Sequence, residues 1–428
     1  MIITVTEYAE LQSYDKTANS GVKKRYVSQE TLDWLIDNYQ NWSSDDESIL
    51  TDLKKNSFKL GSYVGYIQSP FNNEKIQILP KIEIGNTSEV ESNAILKKML
   101  EVVYDLNARE LSFADLDHQQ LPLHEWIINQ YLNELEKLLQ IGLKRDYELV
   151  QESQLFIKGR LLMAQQMRKG PGQEAYFDLE HDDFLLNGVE NRLVNTALQI
   201  VLEITQNDDS LLRSHDFSAL LVTIPVSLNP IDELSNWRED RLLASYSGIK
   251  PWCEIILTHL RPTFQQGLYR GVALLFSMPH LYEKYVAQQL KNEFGKNLHI
   301  HPSQRSFLQH QPIQSKLQDW FRLEPDLAIK LKKNYHIILD TKWKLIHQLK
   351  NNSKDKYGIS QADLYQMFAY GQKYLNGNGK LILIYPCHEY FNQPLPIFNY
   401  SDGLTLLVLP FNLKTGSLIG QHLINQTM

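Results

Sequence analysis

The segment Glu324-Pro-Asp-Leu-Ala-Ile-Lys-Leu-Lys-Lys-Asn-Tyr-His-Ile-Ile-Leu-Asp-Thr-Lys-Trp-Lys carries the residues of this chain whose types and spacing best suit chemistry. Read as a β-hairpin turning at Lys332-Lys333-Asn334, it sets Leu327 opposite Leu339, Ile329 opposite Ile337 and Leu331 opposite Tyr335, an uninterrupted apolar face. Asn334 tolerates the left-handed conformation that a three-residue loop requires. The same register sets Asp326 opposite Asp340, with Cβ atoms roughly 4.5–5.5 Å apart, and like charges so placed destabilise a hairpin. Lys342 lies two residues beyond Asp340 and therefore on the same face. Two carboxylates and an ammonium then converge at one end of the sheet. A divalent cation would turn the repulsion into coordination, since Mg²⁺ takes one or two carboxylates together with waters and phosphate oxygens. Asp340-Thr-Lys342 by itself reads first as a solvated strand end, since such a tripeptide is common by chance; opposition across the hairpin brings the metal-binding reading level with it.

Two helices are placed to frame that end. Ser360-Gln-Ala-Asp363 opens one in capping-box style, with Asp363 in place of the usual Glu or Gln, and Asn376-Gly377 closes it. Gln366 and Tyr370, four residues apart, share one of its faces. Pro279 begins the other, whose Leu281, Tyr285 and Val286 are apolar and which carries Glu283. A run of lysines, among them Lys330, Lys332, Lys333, Lys344, Lys350, Lys354 and Lys356, surrounds the hairpin and the following loop, where it could meet phosphates or simply be solvated.

The rest of the chain divides by pattern. Tyr63 to Gln68 and Ile76 to Pro80 read as strands separated by the turn residues Ser69-Pro-Phe-Asn-Asn, with a helix opened by Ser28 before them. From Leu123 to Leu143, apolar residues recur at three- and four-residue steps until Gly142, which predicts a buried helix. Asn191–Ile204 and Met278–Phe294 are helical by the same pattern. Asp326–Leu331, Tyr335–Leu339, Lys380–Tyr385 and Leu404–Leu409 are strand-like. The predicted architecture is α/β, α+β overall: a β-rich N-terminal domain to about residue 115, a mostly helical middle region from about 116 to 265, and a C-terminal α/β domain from about 266 to 428.

Composition sets limits. In 428 residues, 43% hydrophobic and 22% charged content excludes disordered, fibrous and disulfide-scaffold classes. The first residues lack the basic start and apolar run of a secretory signal, and no window is long and apolar enough to span a bilayer, so a cytoplasmic location with no membrane partner is expected. Cys253 and Cys387 stand without Cys or His at metal-ligand spacing, and His299, His301 and His310 read as surface or loop histidines. A formal charge of −7 has the wrong sign for holding nucleic acid by bulk electrostatics, so any grip on DNA must be local or supplied by a partner. Asn376-Gly-Asn-Gly-Lys380 lacks both the leading Gly and the trailing Ser or Thr of a P-loop and reads as a turn.

Pro325-Asp326, Asp340-Thr-Lys342 and Gln366-Met-Phe-Ala-Tyr370, in that order, resemble the PD-(D/E)xK nuclease core, in the branch with a Gln-x-x-x-Tyr helix. The wider chain resembles the McrC family, the nuclease subunit of McrBC-type modification-dependent restriction systems. The resemblance rests on Tyr66-Ile-Gln-Ser-Pro, Ile76-Gln-Ile-Leu-Pro-Lys-Ile, Gly142-Leu-Lys-Arg-Asp-Tyr, Ile157-Lys-Gly-Arg-Leu-Leu, Leu281-Tyr-Glu-Lys-Tyr-Val, Leu339-Asp-Thr-Lys-Trp-Lys and Asp363-Leu-Tyr-Gln-Met-Phe-Ala-Tyr, spanning about Tyr63 to Pro386. It implies that Asp326, Asp340 and the Thr341 carbonyl bind Mg²⁺. Lys342 would orient or activate the attacking water and offset charge on the phosphate. Glu283 matches the first-helix glutamate of the core, and Gln366 and Tyr370 match the helix supporting the site. The implied partners are modified double-stranded DNA and an McrB-like AAA+ GTPase ring, which would bind the GTP, engaged through the N-terminal domain. The competing reading is a non-catalytic bridging or DNA-binding module of such a complex.

Overall fold

The computed structural model describes residues 2–13, 24–39, 48–54, 56–71, 74–82, 89–106, 121–170, 172, 175–238, 240–266, 269–313, 316–331 and 334–425. Two compact units are present: Met1–Asn107 together with Leu275–Met428, and Ala108–Leu274. The boundary expected near 115 lies outside the described residues.

In the first unit, Ile2–Thr6 runs parallel to Lys75–Leu79, which pairs antiparallel with Tyr63–Gln68. A four-stranded sheet in the order Lys24–Val27, Glu10–Ser13, Ser57–Leu60, Leu50–Lys54 accompanies it. Ser28 caps the Gln29–Asn38 helix as its residue type predicts, its side chain accepting from the Thr31 amide.

The C-terminal part of the same unit is built on a seven-stranded sheet. Its order is Leu298–Ile300, Leu327–Leu331, Asn334–Thr341, Gly379–Pro386, Leu404–Asn412 and Phe398–Ser401, with Ser417–Leu418 added beside Leu404–Asn412. Asn334–Thr341, Gly379–Pro386 and Leu404–Asn412 run parallel and are buried on both faces, which explains why they read as near-continuous apolar runs. The Gln361–Leu375 helix crosses between the first two of these and covers one face, burying Met367, Tyr370, Tyr374 and Leu375 against Ala328, Ile338, Leu381, Leu383 and Leu406. It approaches closely because position 371 is glycine: a Cβ there would sit 2.6 Å from Leu404 Cδ2. Ser360 caps this helix, accepting from the Asp363 amide at 3.1 Å, and Asn376 ends it in the left-handed conformation.

The hairpin register differs from expectation at its tip. Leu327–Leu339 and Ile329–Ile337 pair as predicted, but a bulge after Ile329 sets Lys330 opposite Tyr335 and Leu331 opposite Asn334. Asn334 is thus a strand residue, absent from the residues with positive φ, and Lys332 and Lys333 lie outside the described residues. The apolar face continues because Tyr335 still packs against the core through Tyr374, whose ring lies 6.2 Å away.

The second unit contains the helices Leu123–Ile141, Val189–Ile204, Asp208–Leu220 and Lys250–His259. It is less purely helical than its sequence suggests. Phe177–Leu185, which includes the charged run Asp178-Leu-Glu-His-Asp-Asp, pairs antiparallel with Asp146–Gln154 and with Arg160–Leu161. The polar runs Glu180–Asp183 and Gln151–Gln154 interrupt the apolar alternation that would mark these strands in the sequence. Among the described residues no helix is long and apolar enough to cross a membrane.

Candidate active site

The sheet's parity decides which side chains meet. Ile338, Asp340 and Lys342 project to the face covered by the Gln361–Leu375 helix, since alternate residues of a strand share a face. The ladder between the hairpin strands ends at Leu327–Leu339, leaving Asp326 and Asp340 just beyond it. Asp326 Oδ2 accepts from the Thr341 amide at 2.7 Å and from the Thr341 hydroxyl at 2.6 Å. Its own carbonyl accepts from the His301 amide at 2.9 Å. Asp340 is only 1% exposed, and its Oδ2 forms an ion pair with Lys342 Nζ at 2.7 Å.

Lys342 Nζ donates to Gln366 Oε1 at 3.0 Å; Gln366 Nε2 donates to the Tyr370 hydroxyl at 2.8 Å; and that hydroxyl donates to the Glu324 carbonyl at 3.0 Å. The relay runs from the end of one central strand, across one helix face, back to the residue preceding Pro325-Asp326. It gives the ammonium a second partner beside its carboxylate.

The electrostatics follow from burial. Desolvation, then the neighbouring Asp326 carboxylate, pushes the Asp340 carboxyl up, with Lys342 working against both. Burial alone would pull the Lys342 ammonium down, but Asp340 and, more weakly, Asp326 and Asp363 outweigh it and hold it above its ordinary value. Glu283 is pushed up to about 7, first by burial and then by Asp326, with Lys284 and Lys342 opposing. Its Oε1 stands 3.5 Å from His301 Nε2.

All six residues named from sequence, Asp326, Asp340, Lys342, Glu283, Gln366 and Tyr370, therefore lie in one interacting cluster. Two further participants are new. Asp363 acts electrostatically on both Asp340 and Lys342 and accepts from the Tyr385 hydroxyl at 3.4 Å. Its position three residues before Gln366 on a helix was the available signal, obscured by its capping-box reading. His301, read as an ordinary loop histidine, reaches Glu283 from a left-handed backbone position with φ 45°, and no helical spacing could have revealed it.

A divalent cation suits the donor set in part. Asp326 and Asp340 offer two hard carboxylates of the kind Mg²⁺ takes together with waters, while Asp340 Oδ2 already faces Lys342 Nζ and Asp326 Oδ2 already accepts two hydrogen bonds from Thr341. Among the described residues no cluster of three or more His, Cys, Asp or Glu side chains is arranged to hold a metal. A cavity of about 630 Å³ lies at the opposite end of the strands, lined by Arg305, Lys330, His336 and Lys380 among others. Of its cations, Arg305 donates to the Lys373 carbonyl in the last turn of the Gln361–Leu375 helix and lies over the Tyr374 ring, Lys330 lies over the Tyr335 ring, and Lys380 donates to the Leu423 carbonyl.

A mixed α/β sheet that gathers carboxylates, a paired lysine and a Gln–Tyr relay at the ends of its central strands defines a class of protein with an enzyme-like acidic site. Residues 58–386 match the family model described as McrBC 5-methylcytosine restriction system component, and the chain belongs to that family. The match agrees with the span from Tyr63 to Pro386 over which the sequence motifs resemble the McrC family. The fold is similar to that in the refined half-complex from the tetradecameric assembly of Thermococcus gammatolerans McrB AAA+ hexamers with bound McrC: TM-score 0.65 at 17% identity, covering 100% of both chains. A second likeness is to the cryo-EM structure of the Thermococcus gammatolerans McrBC complex, with TM-score 0.50 at 20% identity over 69% of this chain and 89% of that one. No curated protein matches the sequence.

Proposed function

We propose that this chain is the nuclease subunit of a modification-dependent restriction complex of the McrBC type, a Mg²⁺-dependent DNA endonuclease with a PD-(D/E)xK core that works with, and stimulates, an McrB-like AAA+ GTPase ring. The observation that carries the reading is the buried Asp340–Lys342 pair, beside Asp326 and tied through Gln366 to Tyr370. Family membership and the likeness to chains solved in McrB–McrC assemblies support the partner.

In this reading Asp326, Asp340 and the Thr341 carbonyl hold the cation, which when bound polarises a phosphodiester oxygen and favours a hydroxide nucleophile. The protein's own groups do the remaining work. Lys342 is kept protonated by its carboxylate neighbours, so it serves as a fixed positive charge facing the developing phosphorane and orients the attacking water, in preference to acting as a base. Gln366 and Tyr370 set its direction, which in a buried site avoids the cost of reorganisation. Glu283, titrating near neutrality, is placed to exchange a proton with water at the edge of the site.

The test is co-purification of the full chain with an AAA+ GTPase of the McrB type, followed by cleavage of methylated and unmethylated duplex DNA with GTP, with and without Mg²⁺. Cleavage that requires Mg²⁺ and disappears with Lys342→Ala is expected. Equal cleavage by wild type and Lys342→Ala would reject the site. Partner binding with no cleavage under any condition would favour a non-catalytic bridging module.

A further inference from the structure

The nuclease cluster is gripped from the N-terminal sheet at points adjacent to its key residues. Glu7 follows the Ile2–Thr6 strand, is anchored there by its amide donating to the Leu79 carbonyl at 3.0 Å, and is 1% exposed. Its carboxylate collects donors from three separate segments. Oε1 accepts from the Lys81 amide at 2.8 Å, the Trp343 indole N–H reaches Oε1 at 2.8 Å and Oε2 at 3.0 Å, and the Ser62 hydroxyl donates to Oε2 at 3.2 Å.

Trp343 is the residue after Lys342, and its ring lies 5.2 Å from that of Tyr282, the residue before Glu283. Ser62, held by Glu7, in turn accepts at its carbonyl the Met278 amide at 2.8 Å, the first residue of the Met278–Phe294 helix that carries Glu283. One buried carboxylate thus links the N-terminal sheet to the strand end bearing Lys342 and the helix bearing Glu283.

We infer that Glu7 is a positioning residue for the cleavage site: by fixing Trp343 it sets the placement of Lys342 and Glu283, so that cleavage competence depends on the N-terminal sheet. The inference rests on the nuclease reading above. It also makes that sheet the route by which a partner bound to it would alter cutting. The physical reason is leverage: Lys342 Nζ is useful only within ångströms of Asp340 and Gln366, and displacement of a catalytic group by about 1 Å costs about 100-fold in rate.

Steady-state cleavage by the full chain in its partner complex tests this. Glu7→Ala and Trp343→Phe should each lower kcat by about 10- to 100-fold, with KM for DNA changed by less than about two-fold. Glu7→Gln should restore near-normal kcat, because its amide oxygen can still accept from Lys81 and Trp343 while its NH₂ faces Ser62. The Glu7→Ala/Trp343→Phe double variant should be no slower than the slower single one, as expected of residues acting through one contact. Trp343→Phe keeps the ring and covers the case in which Glu7→Ala does not fold. Wild-type kcat in both single variants, with Lys342→Ala inactive, overturns the inference and leaves the nuclease reading standing. If wild type itself never cuts, the nuclease reading falls, and acylation of the Lys342 amine read by mass spectrometry decides positioning. Several-fold faster labelling in folded Trp343→Phe, with Glu7→Gln unchanged, supports it, and equal labelling in all variants overturns it.

Discussion

At the scale of single residues, the site is a set of charges whose burial and mutual repulsion are kept for a purpose other than stability. Asp340 is desolvated and faces a second carboxylate, but it is also the ion-pair partner of the half-buried Lys342 ammonium, so a neutral isostere relieves one cost and leaves that cation without its carboxylate. Asp340→Asn should therefore melt below the wild-type temperature, because the Lys342 ammonium loses its carboxylate, and should lose at least about 100-fold in cleavage; a variant that keeps wild-type cleavage contradicts the assignment. Added Mg²⁺ should stabilise the wild type, by about 2.7 kcal/mol at 100 times its Kd, and leave Asp340→Asn unmoved in the same thermal scan. Because Glu283 titrates near 7 beside the proposed ligands and a bound cation favours ionised carboxyls, Mg²⁺ affinity should fall as pH drops below about 7. Calorimetric titrations at pH 6 and 8 check this. Glu7 gives an independent pH signature. Burial pushes its carboxyl from 4.5 up to about 7, against hydrogen bonds from Lys81, Trp343 and Ser62. The folded state then keeps a proton the unfolded chain gives up, so this group's contribution is fully present below about pH 4.5 and is lost as pH rises to about 7. It amounts to about 3 kcal/mol. Glu7→Gln should flatten that decline in urea unfolding measured from pH 5 to 8.

At the scale of elements, the Gln361–Leu375 helix is the part on which the site most depends, because its caps set the height of Gln366 and Tyr370 over the strand end. Losing the Ser360 hydroxyl, which accepts from the Asp363 amide, should cost about 1 kcal/mol. Gly371→Val should cost more, roughly 1–3 kcal/mol, since its Cβ alone would meet Leu404 at 2.6 Å and lift the helix from the sheet. Cleavage should fall further than stability in the second variant, as the Gln366–Lys342 bond stretches. Parallel denaturation and cleavage assays separate the two effects.

At the scale of the molecule, a formal charge of −7 and the union of Met1–Asn107 with Leu275–Met428 in one compact unit have separate consequences. The isolated chain should bind duplex DNA no tighter than about micromolar at ~150 mM salt, with tight binding only in the presence of a partner and its nucleotide; nanomolar binding by the chain alone contradicts this. A fragment from Leu275 to Met428 retains every residue of the cluster but leaves the Trp343 indole and the Met278 amide without Glu7 and Ser62. It should therefore express poorly or melt well below the whole chain. An independently stable fragment with the full chain's melting temperature would show that the N-terminal sheet is dispensable to the core.

The sequence alone determined what local rules govern: the helix bounded by Ser360 and Asn376, the buried run ending at Gly142, the turn at Asn376-Gly377, and the pairing of Leu327 with Leu339 that sets Asp326 beside Asp340. Capping, periodicity and strand parity act over a few residues, and so they can be read without knowing the fold. The tip of the hairpin escaped that reading because a bulge after Ile329 shifts its register, and Tyr335 there packs on Tyr374, in a helix distant in sequence. The pairing of Asp146–Gln154 with Phe177–Leu185 escaped it because runs of polar residues in both strands interrupt the alternation. Only the tertiary structure brought Asp363 and His301 into the cluster and joined Glu7 to Trp343. These contacts span from about twenty to more than three hundred residues, and their partners are chosen by how sheets and helices stack, an outcome that no local pattern encodes.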